Sequence, residues 1–510
     1  MTEVAVPPEE RLDEQVTAIN HWIGGRKVAG TSGRRGPVYN PAMGRQTGAV
    51  DFASAEEVGQ AVAAAKAAFP RWRATSLSRR AEILFRVRAL FDEHRTDIAR
   101  ILTAEHGKVL SDALGEVARG LEVVEFACGI PHLLKGEYTE QASTGVDVHS
   151  VRQPVGVVAG ITPFNFPAMV PMWMFAPAIA CGNSFVLKPS EKDPSASLYV
   201  AELLQEAGVP DGVFNVVHGD KVAVDALLEH PDVDAISFVG STPIARYVYT
   251  TATSHGKRCQ ALAGAKNHMV VLPDADIEMA ADAAVSAGYG SAGERCMAIS
   301  LVVAVGDAAE PLVDAIVERI PKIKVGDGTQ PDVEMGPLIT RDHRDRVAAF
   351  VENAPAEGAS VVVDGREATP EGDGFFLAPS LLDNVTPEMD CYREEIFGPV
   401  LGVTRAETYA DALQLVNENS YGNGVAIFTR DGGVARQFEF DVQAGMVGVN
   451  VPIPVPVAYY SFGGWKASLF GDLHVYGPEG IAFYTRGKVV TSRWPDPATS
   501  RVDLGFPQTR

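Results

Sequence analysis

The first 155 residues of the chain carry two kinds of hydrophobic pattern. Ser54-Ala-Glu-Glu57 has the form of a capping box, and the apolar run VGQAVAAAKAAF that follows it predicts a helix. Apolar residues recur at helical spacing over about 79–105 and again over 109–129, which predicts two further helices. Between about 137 and 153, apolar and polar residues alternate on either side of Thr144-Gly145. This alternation predicts a polar hairpin.

From residue 155 onward, short apolar runs typical of strands alternate with predicted helices. The first series is VGVVAGI, SFVLK, FNVVH and DAISFVG, with helices expected near 170–181, after Asp193-Pro194 and after Thr242. Asp193 is expected to cap its helix, with Pro194 at the first helical position. The second series is MVVLP (269–273), LVVAV (301–305), SVVVD (360–364) and PVLGV (399–403). This order indicates βαβ units and parallel sheets with helices on both faces.

The predicted fold class is therefore α/β, with two doubly wound α/β domains and a small β domain. Residues 18–136 and 155–264 are assigned to the first α/β domain, and residues 265–465 to the second. The tail 484–498, which begins YTRGKVVTSRW, predicts an edge strand that pairs with the hairpin, here bounded as 137–154. Residues 1–17 are predicted to form a mobile N-terminal arm.

Composition and charge narrow the range of partners. The chain has 510 residues, of which 46% are hydrophobic, and its 44 Lys and Arg against 65 Asp and Glu give a formal net charge of −21. Such acidity disfavours a nucleic acid or an anionic membrane as partner, because binding to phosphates needs a basic surface. An anionic small molecule would need a few Arg or Lys side chains focused in one pocket.

Three features favour a cytoplasmic protein without a membrane span. The N-terminal MTEVAVPPEERLDEQ has no apolar core, so no secretory or transit peptide is expected. The five cysteines are scattered and form no C-x-x-C pair, which disfavours a disulfide framework and a structural zinc site. The uncharged segment from Gln153 to Leu187 is long enough to span a bilayer, but prolines and asparagines interrupt it. It is predicted to fold as a buried strand, loop, helix and strand.

The chain lacks the common nucleotide-binding and metal-binding motifs. No G-x-G-x-x-G follows any of the predicted strands, and no G-x-x-x-x-G-K-[ST] is present. The histidines form no H-E-x-x-H cluster, so no metal site is predicted. At Phe238-Val-Gly240-Ser241-Thr242 a strand ends in glycine and a helix begins. This geometry can receive a pyrophosphate, but it is also that of an ordinary strand–helix connection.

Two residues have the surroundings of catalytic groups. Cys296 follows a glycine-rich stretch, 288–293, and Arg295 beside it is expected to lower the pKa of the thiol. The alternative for a single cysteine is an inert buried thiol. Asn165 lies between rigid neighbours in Pro163-Phe-Asn-Phe-Pro167, which suits either a preorganised oxyanion donor or a turn-capping asparagine.

Five motifs, taken together, resemble the aldehyde dehydrogenase superfamily in order and in spacing. They are VVAGITPFNFP (157–167), LKPSE (187–191), VGST (239–242), GERC (293–296) and EEIFGP (394–399), and the resemblance extends from about residue 20 to 495. Within the superfamily, the chain is most similar to the CoA-acylating members that act on methylmalonate semialdehyde and malonate semialdehyde. The similar stretches include ALAGAKNH, GSAGERCMA and GWKASLFGDLH.

The resemblance implies a catalytic cysteine and a site for NAD. Cys296 would form a thiohemiacetal with the aldehyde, while the Asn165 side-chain amide and the Cys296 backbone N–H hold the oxyanion. Hydride transfer to NAD would leave a thioacyl-enzyme. Glu191 would accept from the ribose hydroxyls of adenosine and repel a 2′-phosphate, which favours NAD over NADP. The residues implied in cofactor binding are Thr162, Phe164, Lys188, Glu191, Lys192, Ser241 and Glu395.

One departure from the superfamily concerns the step that releases the acyl group. Hydrolytic members carry Glu-Leu-Gly-Gly-Lys, whose glutamate activates water, whereas this chain has Leu262-Ala-Gly-Ala-Lys266. Water needs a general base, but a CoA thiol is a far stronger nucleophile, so the substitution favours CoA as the acceptor. One alternative is a hydrolytic NAD-dependent aldehyde dehydrogenase in which another carboxylate activates water. The other is a non-catalytic relative that keeps the fold.

The resemblance also implies the substrate and the products. Arg119 and Arg295 match positions that bind a substrate carboxylate in acylating members, although Arg119 has Glu116 and Glu122 as alternative ion-pair partners. A small aldehyde that carries a carboxylate would be converted to propionyl-CoA or acetyl-CoA. The carboxylate would leave as CO₂ or bicarbonate, because the thioester carbonyl accepts the developing negative charge.

Roles for the predicted domains follow from the same resemblance. The domain at 18–136 and 155–264 would bind NAD, and the domain at 265–465 would carry the nucleophile. The strands at 137–154 and 484–498 would join subunits, because an edge strand paired across subunits is no longer exposed. A homotetramer, built as a dimer of dimers, is the expected assembly.

Overall fold

The computed structural model describes residues 16–498, 501–502 and 504–505. Residues 1–15 of the predicted N-terminal arm lie outside the described residues, and Thr17 is already the first residue of a strand. Short strands come first: β1 (Thr17–Ile19), β2 (His21–Ile23), β3 (Arg26–Val28), β4 (Arg35–Asn40) and β5 (Arg45–Asp51). Helices follow: α1 (Ala55–Ala74), α2 (Leu77–Glu93), α3 (Arg95–His106), α4 (Leu110–Cys128) and α5 (Ile130–Leu133).

The predicted capping box at the start of α1 is confirmed. The Ser54 hydroxyl accepts from the Glu57 N–H at 3.2 Å, and the Glu57 carboxylate accepts from the Ser54 N–H at 2.8 Å. Two otherwise unsatisfied donors of the first helical turn are thereby bonded.

The next part of the chain contains the hairpin and the first series of alternating elements. These are β6 (Tyr138–Ser143), β7 (Val146–Pro154), β8 (Val157–Ile161), α6 (Met169–Ala180), β9 (Ser184–Lys188), α7 (Ser195–Glu206), β10 (Phe214–Val216), α8 (Lys221–Glu229), β11 (Ala235–Val239), α9 (Thr242–Ser254) and β12 (Arg258–Leu262). The uncharged segment 153–187 forms β8, α6 and β9, all buried, as predicted. Among the described residues, no helix combines the length and apolarity that a membrane crossing requires.

The second series completes the chain. Its elements are β13 (Asn267–Val271), α10 (Ile277–Tyr289), β14 (Ile299–Val305), α11 (Ala309–Arg319), α12 (Arg341–Glu357), β15 (Ser360–Val363), β16 (Ser380–Asp383), α13 (Asp390–Arg393), β17 (Val400–Ala406), α14 (Tyr409–Glu418), β18 (Tyr421–Gly422), β19 (Gly424–Phe428), α15 (Gly432–Asp441) and β20 (Met446–Val449). The last elements are β21 (Trp465–Lys466), β22 (Leu469–Phe470), α16 (Gly477–Phe483) and β23 (Thr485–Arg493).

Two open sheets form the body of the protein. The order of the first is β22-β12-β11-β8-β9-β10-β2-β3, in which the strands from β12 to β10 run parallel. The order of the second is β15-β16-β17-β14-β13-β19-β20, parallel except at its edge strand β15. Successive residues of β8 enter different hydrophobic clusters: Val158 packs with residues of α2, α4 and α6, and Val157 packs with residues of α1, α8 and α9. The predicted doubly wound α/β fold is confirmed.

A separate small sheet has the order β23-β7-β6. Strand β23 pairs antiparallel with β7 over nine positions, from Thr485 opposite Pro154 to Arg493 opposite Val146. The pairing of the tail with the hairpin, predicted from sequence alternation, is therefore confirmed.

The prediction of one long helix over 79–105 is wrong. The chain leaves helical geometry at His94 (φ −94°, ψ 12°), which ends α2 and begins α3. The His94 ring hydrogen-bonds the Tyr199 hydroxyl on α7 at 2.9 Å. A contact with a helix more than a hundred residues away fixes this turn, and the local hydrophobic spacing carries no sign of it.

The predicted capping role of Asp193 is also wrong. Pro194 occupies the N-cap position of α7, so Asp193 lies one residue too early to cap the helix. The free Ser195 N–H and hydroxyl donate instead to the Glu105 carboxylate on α3, at 3.0 and 2.6 Å. A carboxylate distant in sequence therefore takes the place of the local cap.

Candidate active site

Cys296 follows a tight turn that brings it against the segment 394–399. After α10, a 3₁₀ turn at Gly290–Gly293 holds Ser291 and Ala292 at φ 53° and 52°. Gly293 has φ 72°, and a Cβ atom there would come within 2.1 Å of the Gly398 carbonyl oxygen. Glycine is required at this position because no side chain fits between the two backbones. The glycine-rich stretch therefore packs the turn before Cys296 closely against residues 394–399.

Asn165 lies in the loop between β8 and α6, close to that turn. Its side chain is buried, and Nδ2 donates one hydrogen bond to the Glu294 carbonyl at 2.9 Å. An amide nitrogen has two hydrogens, so the second remains for another acceptor. Asn165 and Cys296 line the same cavity, as the predicted pairing of oxyanion donor and nucleophile requires.

This first cavity has a volume of about 620 Å³ and opens at the carboxyl ends of β8, β11 and β12. In open α/β sheets this crevice is the usual place for a ligand. Three of the predicted cofactor residues line it together with Cys296 and Asn165, namely Phe164, Ser241 and Glu395. Ser241 is the N-cap residue of α9, so the start of that helix faces the cavity.

The other four predicted cofactor residues lie beyond the lining of this cavity. Thr162 follows β8, and its N–H donates to the Lys188 carbonyl at the end of β9 at 3.1 Å. The Lys188 Nζ and the Glu191 Oε2 form an ion pair at 3.2 Å. Burial alone would raise the pKa of Glu191, but Lys188 and neighbouring donors outweigh it and hold this pKa below its ordinary value. Lys192 is next in the chain, and its N–H donates to the Ser190 hydroxyl.

The Glu395 carboxylate of the first cavity lies against the backbone of residues 264–265. Its Oε1 accepts from the Ala265 N–H at 2.9 Å, and a Cβ atom on Gly264 would come within 2.5 Å of its Oε2. Burial raises the pKa of Glu395 to about 7, against the opposing effect of the Ala265 N–H and Lys266. The Lys266 Nζ holds the adjacent backbone by donating to the carbonyl of Glu394 at 2.7 Å.

A second cavity, of about 400 Å³, approaches Cys296 from another direction. Its walls include Arg119 on α4, Phe166, Trp173 on α6 and Arg295. Cys296 lines both this cavity and the first one. Cys296 therefore borders the space open to two molecules, one in each cavity.

Both arginines of the second cavity are held by carboxylates. Arg119 donates to Glu122 at 2.7 and 2.9 Å and to the Pro456 carbonyl at 2.9 Å. Of the two alternative partners considered for Arg119, Glu122 is thus the one in contact. Arg295 donates to Asp112, which is 183 residues away in the chain.

Arg295 lowers the pKa of the Cys296 thiol, as expected, but the net shift of this pKa is upward. Burial raises the pKa of Cys296 to about 12, and the Glu395 carboxylate contributes to the rise. Arg295 acts in the opposite sense but is outweighed, and its guanidinium is already paired with Asp112. With a pKa of about 12, the Cys296 thiol of the ligand-free protein is protonated at neutral pH.

Cys296 and Asn165 lie together in the cleft at the carboxyl ends of the first sheet. The aldehyde dehydrogenase family matches residues 28–490, which is most of the chain. The chain belongs to this family.

Individual aldehyde dehydrogenases with high similarity cover nearly the whole chain. Malonate-semialdehyde dehydrogenase of Pseudomonas aeruginosa is 54% identical over 493 residues, which are 96% of this chain and 99% of that protein. The acylating, mitochondrial methylmalonate-semialdehyde dehydrogenase of Arabidopsis thaliana is 46% identical over 510 residues, 99% of this chain and 84% of that one. A Sinorhizobium meliloti structure described as a methylmalonate-semialdehyde dehydrogenase complexed with NAD has a TM-score of 0.94 at 54% identity, covering 95% of this chain and 100% of that one.

Leu262, which stands where the resemblance to hydrolytic aldehyde dehydrogenases predicts a glutamate, is an apolar core residue. It ends β12, is 3% exposed and belongs to the hydrophobic cluster that includes Met297 and Phe462. Cys296 packs against the same cluster. The surroundings of Leu262 therefore suit a hydrocarbon and provide no visible support for a charged side chain.

Several polar residues of this aldehyde dehydrogenase site have no signal in the sequence. Asp112, the partner of Arg295, lies in the first turn of α4, where an acidic residue is common and indicates no distant partner. Lys108 and Glu116 form a buried ion pair beside the Asn165 loop, eight residues apart. Neither spacing matches the three- or four-residue interval of a helical ion pair.

Proposed function

We propose that the chain oxidises malonate semialdehyde or methylmalonate semialdehyde with NAD and transfers the acyl group to CoA. The products are acetyl-CoA or propionyl-CoA, with loss of CO₂ or bicarbonate. The observation that carries this proposal is the position of Cys296 on the walls of both cavities. The names and the high identity of the relatives support the same substrate class.

The residues around the first cavity fit NAD by their chemistry. The Thr162 hydroxyl is buried without a hydrogen-bond partner among the described residues, which leaves a donor for a ligand. Glu191 and Glu395 offer acceptors for ribose hydroxyls, and Ser241 at the start of α9 offers a place for phosphate. Thr162, Phe164, Lys188, Glu191, Lys192, Ser241 and Glu395 are the residues proposed to hold the cofactor. Bound NAD would supply the acceptor for the hydride that leaves the aldehyde carbon.

Cys296 and Asn165 are proposed to carry the carbon–sulfur chemistry. The thiol passes its proton to solvent as its sulfur attacks the aldehyde carbon. The electron pair of the broken C=O π-bond moves to the carbonyl oxygen, which carries the negative charge of the thiohemiacetal. The free N–H of the Asn165 amide and the Cys296 backbone N–H stabilise that oxygen. After oxidation, a thioacyl group remains on Cys296.

CoA is proposed as the acceptor because the site around Leu262 offers no general base for water. A thiolate attacks a thioester with far less assistance than water does. The CoA sulfur bonds to the acyl carbon, and the Cys296 sulfur leaves with the electron pair and takes up a proton. The enzyme then returns to its starting state.

Arg119 and Arg295 are proposed to bind the substrate carboxylate in the second cavity. A planar guanidinium matches a carboxylate well, and these two charges are focused in a protein that is acidic overall. The substrate carboxylate lies β to the thioester carbonyl. When CO₂ leaves, that carbonyl accepts the electron pair as an enolate, which then takes up a proton.

A hydrolytic aldehyde dehydrogenase is the second candidate, because a carboxylate does face Cys296. Glu395 lines the same cavity, and its pKa of about 7 would allow it to accept a proton near neutral pH. Turnover in the absence of CoA would distinguish this function from the acylating one.

For the assembly, we propose that the small sheet of β6, β7 and β23 joins subunits into a homotetramer, a dimer of dimers. Strand β23 is a sheet edge, and Val489 on it is 70% exposed. Residues 18–136 and 155–264 are proposed to form the NAD-binding domain, and residues 265–465 the catalytic domain. A cytoplasmic location is proposed from the sequence features alone.

Mass spectrometry of the intact protein tests the covalent step. After incubation with NAD and methylmalonate semialdehyde but without CoA, the wild type should carry one acyl group on Cys296. Cys296→Ala should neither gain mass nor form NADH, whereas Cys259→Ala, which removes a buried thiol of β12, should behave as the wild type. NADH formation by Cys296→Ala would refute the mechanism.

A further inference from the structure

A buried ion pair contacts the loop that carries Asn165. Lys108 lies between α3 and α4, and Glu116 lies on α4. The Lys108 Nζ and the Glu116 Oε2 are 2.6 Å apart, and both side chains are fully buried. A pair of opposite charges at this distance is stable in the interior only when their remaining hydrogen-bonding groups are also satisfied.

The ammonium group of Lys108 also contacts the loop that carries Asn165. The Nζ donates to the backbone carbonyl of Asn165 at 2.6 Å. The same group lies 4.5 Å from the centre of the Phe166 ring, where a cation is attracted by the π-electrons. Lys108 therefore contacts both the oxyanion-donor residue and its neighbour.

The second carboxylate oxygen of Glu116 accepts hydrogen bonds at the end of the same loop. Its Oε1 accepts from the Ala168 N–H at 2.8 Å and from the Met169 N–H at 3.1 Å. These N–H groups begin α6, where a carboxylate is favourable. Glu116 lies on the wall of the second cavity, but both of its oxygens are bonded to protein.

Together these contacts fix the backbone on both sides of the Asn165 side chain. The pair holds the loop at the Asn165 carbonyl and at the first turn of α6, and the Glu294 carbonyl holds the amide itself. A buried ion pair is often no more stabilising than apolar residues of the same volume. In this protein the Lys108–Glu116 pair fixes the position of the loop that carries Asn165.

We propose that Lys108 and Glu116 are positioning residues that hold the Asn165 amide in its oxyanion-binding orientation. The pair touches neither the reacting carbon nor the sulfur and acts through Asn165. An oxyanion donor is effective only when it is already aimed at the place where the charge develops. This inference rests on the proposed role of Asn165, so its test must include Asn165 variants.

The rate of the NADH burst without CoA measures formation of the thioacyl-enzyme directly. In the wild-type background, Glu116→Gln should slow the burst about 30-fold, part of the 100-fold or more that loss of an oxyanion donor costs. In an Asn165→Ala background, the same substitution should slow it less than about 3-fold, since there is no amide left to position.

A reaction of Cys296 that forms no oxyanion distinguishes loss of Asn165 positioning from a general disturbance of the active site. Alkylation of Cys296 by iodoacetamide passes through no tetrahedral oxyanion, so Glu116→Gln should leave its rate within about 3-fold of the wild type. If Glu116→Gln does not fold, the paired substitution of Lys108→Met with Glu116→Leu removes both charges together. That double variant should fold and still show the slow burst.

The outcomes distinguish failure of the inference from failure of the proposed function. Equal slowing by Glu116→Gln in both backgrounds, or no slowing in the wild type, would overturn the positioning role while leaving Asn165 as oxyanion donor. A normal burst in the Lys108→Met, Glu116→Leu double variant would overturn it as well. A normal burst in Asn165→Ala alone would contradict both proposals.

Discussion

The guanidinium of Arg295 donates to the carboxylate of Asp112 on the wall of the cavity that reaches Cys296. Glu122 holds Arg119 in the same way on another part of that wall. Each arginine is therefore oriented by a protein carboxylate before any ligand arrives. Such a pair of fixed cations suits a small aldehyde that itself carries a carboxylate.

Replacement of Arg119 should discriminate between charged and uncharged aldehydes. Arg119→Gln should lower kcat/KM for malonate semialdehyde about 100-fold, since a charge-assisted contact worth about 1.5–3 kcal/mol is lost. The kcat/KM for propanal should stay within about 3-fold of the wild type. Arg100→Gln, which changes an exposed arginine of α3, is the control and should affect neither substrate. Equal losses on both aldehydes would argue that Arg119 serves the structure and not the substrate.

The affinity for NAD should depend on the ionisation of Glu395. Its folded pKa of about 7 lies above the ordinary value of 4.5, so the free enzyme holds this proton up to about pH 7. Ribose hydroxyls bond the ionised carboxylate more strongly, so NAD binding favours loss of the proton. The Kd for NAD should be constant above about pH 8 and rise up to tenfold per pH unit below 7. Calorimetric titrations of Glu395→Gln should show weaker binding without this pH dependence; an unchanged slope would assign the effect to another group.

Alkylation of Cys296 in the free enzyme should report the raised pKa of its thiol. Because that pKa is about 12, the thiolate fraction grows tenfold with each pH unit over the range from 7 to 10. The rate constant with iodoacetamide should follow this slope without a plateau, with Cys296→Ala defining the background. A plateau near pH 8 would mean that the thiolate forms far more easily than this half-buried, Glu395-facing position allows.

Introducing a carboxylate at Leu262 should open the hydrolytic route. Leu262→Glu should raise the CoA-independent rate of turnover about 100-fold, at the lower end of what a general base contributes. A polar group in this apolar cluster should also reduce the free energy of unfolding by about 2 kcal/mol.

Leu262→Gln is the matched control for this gain. It shares the shape and the stability cost of the glutamate variant but cannot accept a proton from water. Equal CoA-independent rates in the two variants would show that the effect comes from loosened packing and not from a base.

The elements of the fold that depend on local spacing could be predicted from the sequence. The capping box at Ser54, the strand β8 and the pairing of the tail with the hairpin were all found as expected. The alternation of strands and helices also predicted the parallel sheets, because a crossover helix is the usual connection between parallel strands.

The features that the sequence could not predict are contacts between distant residues. The turn at His94 depends on Tyr199, and the start of α7 depends on Glu105. The same holds for the partner of Arg295, and for the burial and the Glu395 carboxylate that raise the pKa of Cys296. Local motifs indicate which residues have catalytic chemistry, but only the packed structure decides which charges they face.

Of the residues that the motifs predict for cofactor binding, only some line the first cavity, and the role of each stays a prediction. Phe164, Ser241 and Glu395 lie there with Cys296, whereas Lys188 and Glu191 lie at the end of β9, outside its lining. The supporting pair of Lys108 and Glu116 was missed, since a fully buried ion pair has no periodic pattern that would reveal it.

The dependence of turnover on CoA tests the central claim most directly. NADH formation from malonate semialdehyde and NAD should continue for many turnovers with CoA. Without CoA it should stop after one equivalent of NADH per active site, with the acyl group left on Cys296. Steady NADH formation at the same rate without CoA would contradict the acylating mechanism and identify a hydrolytic aldehyde dehydrogenase.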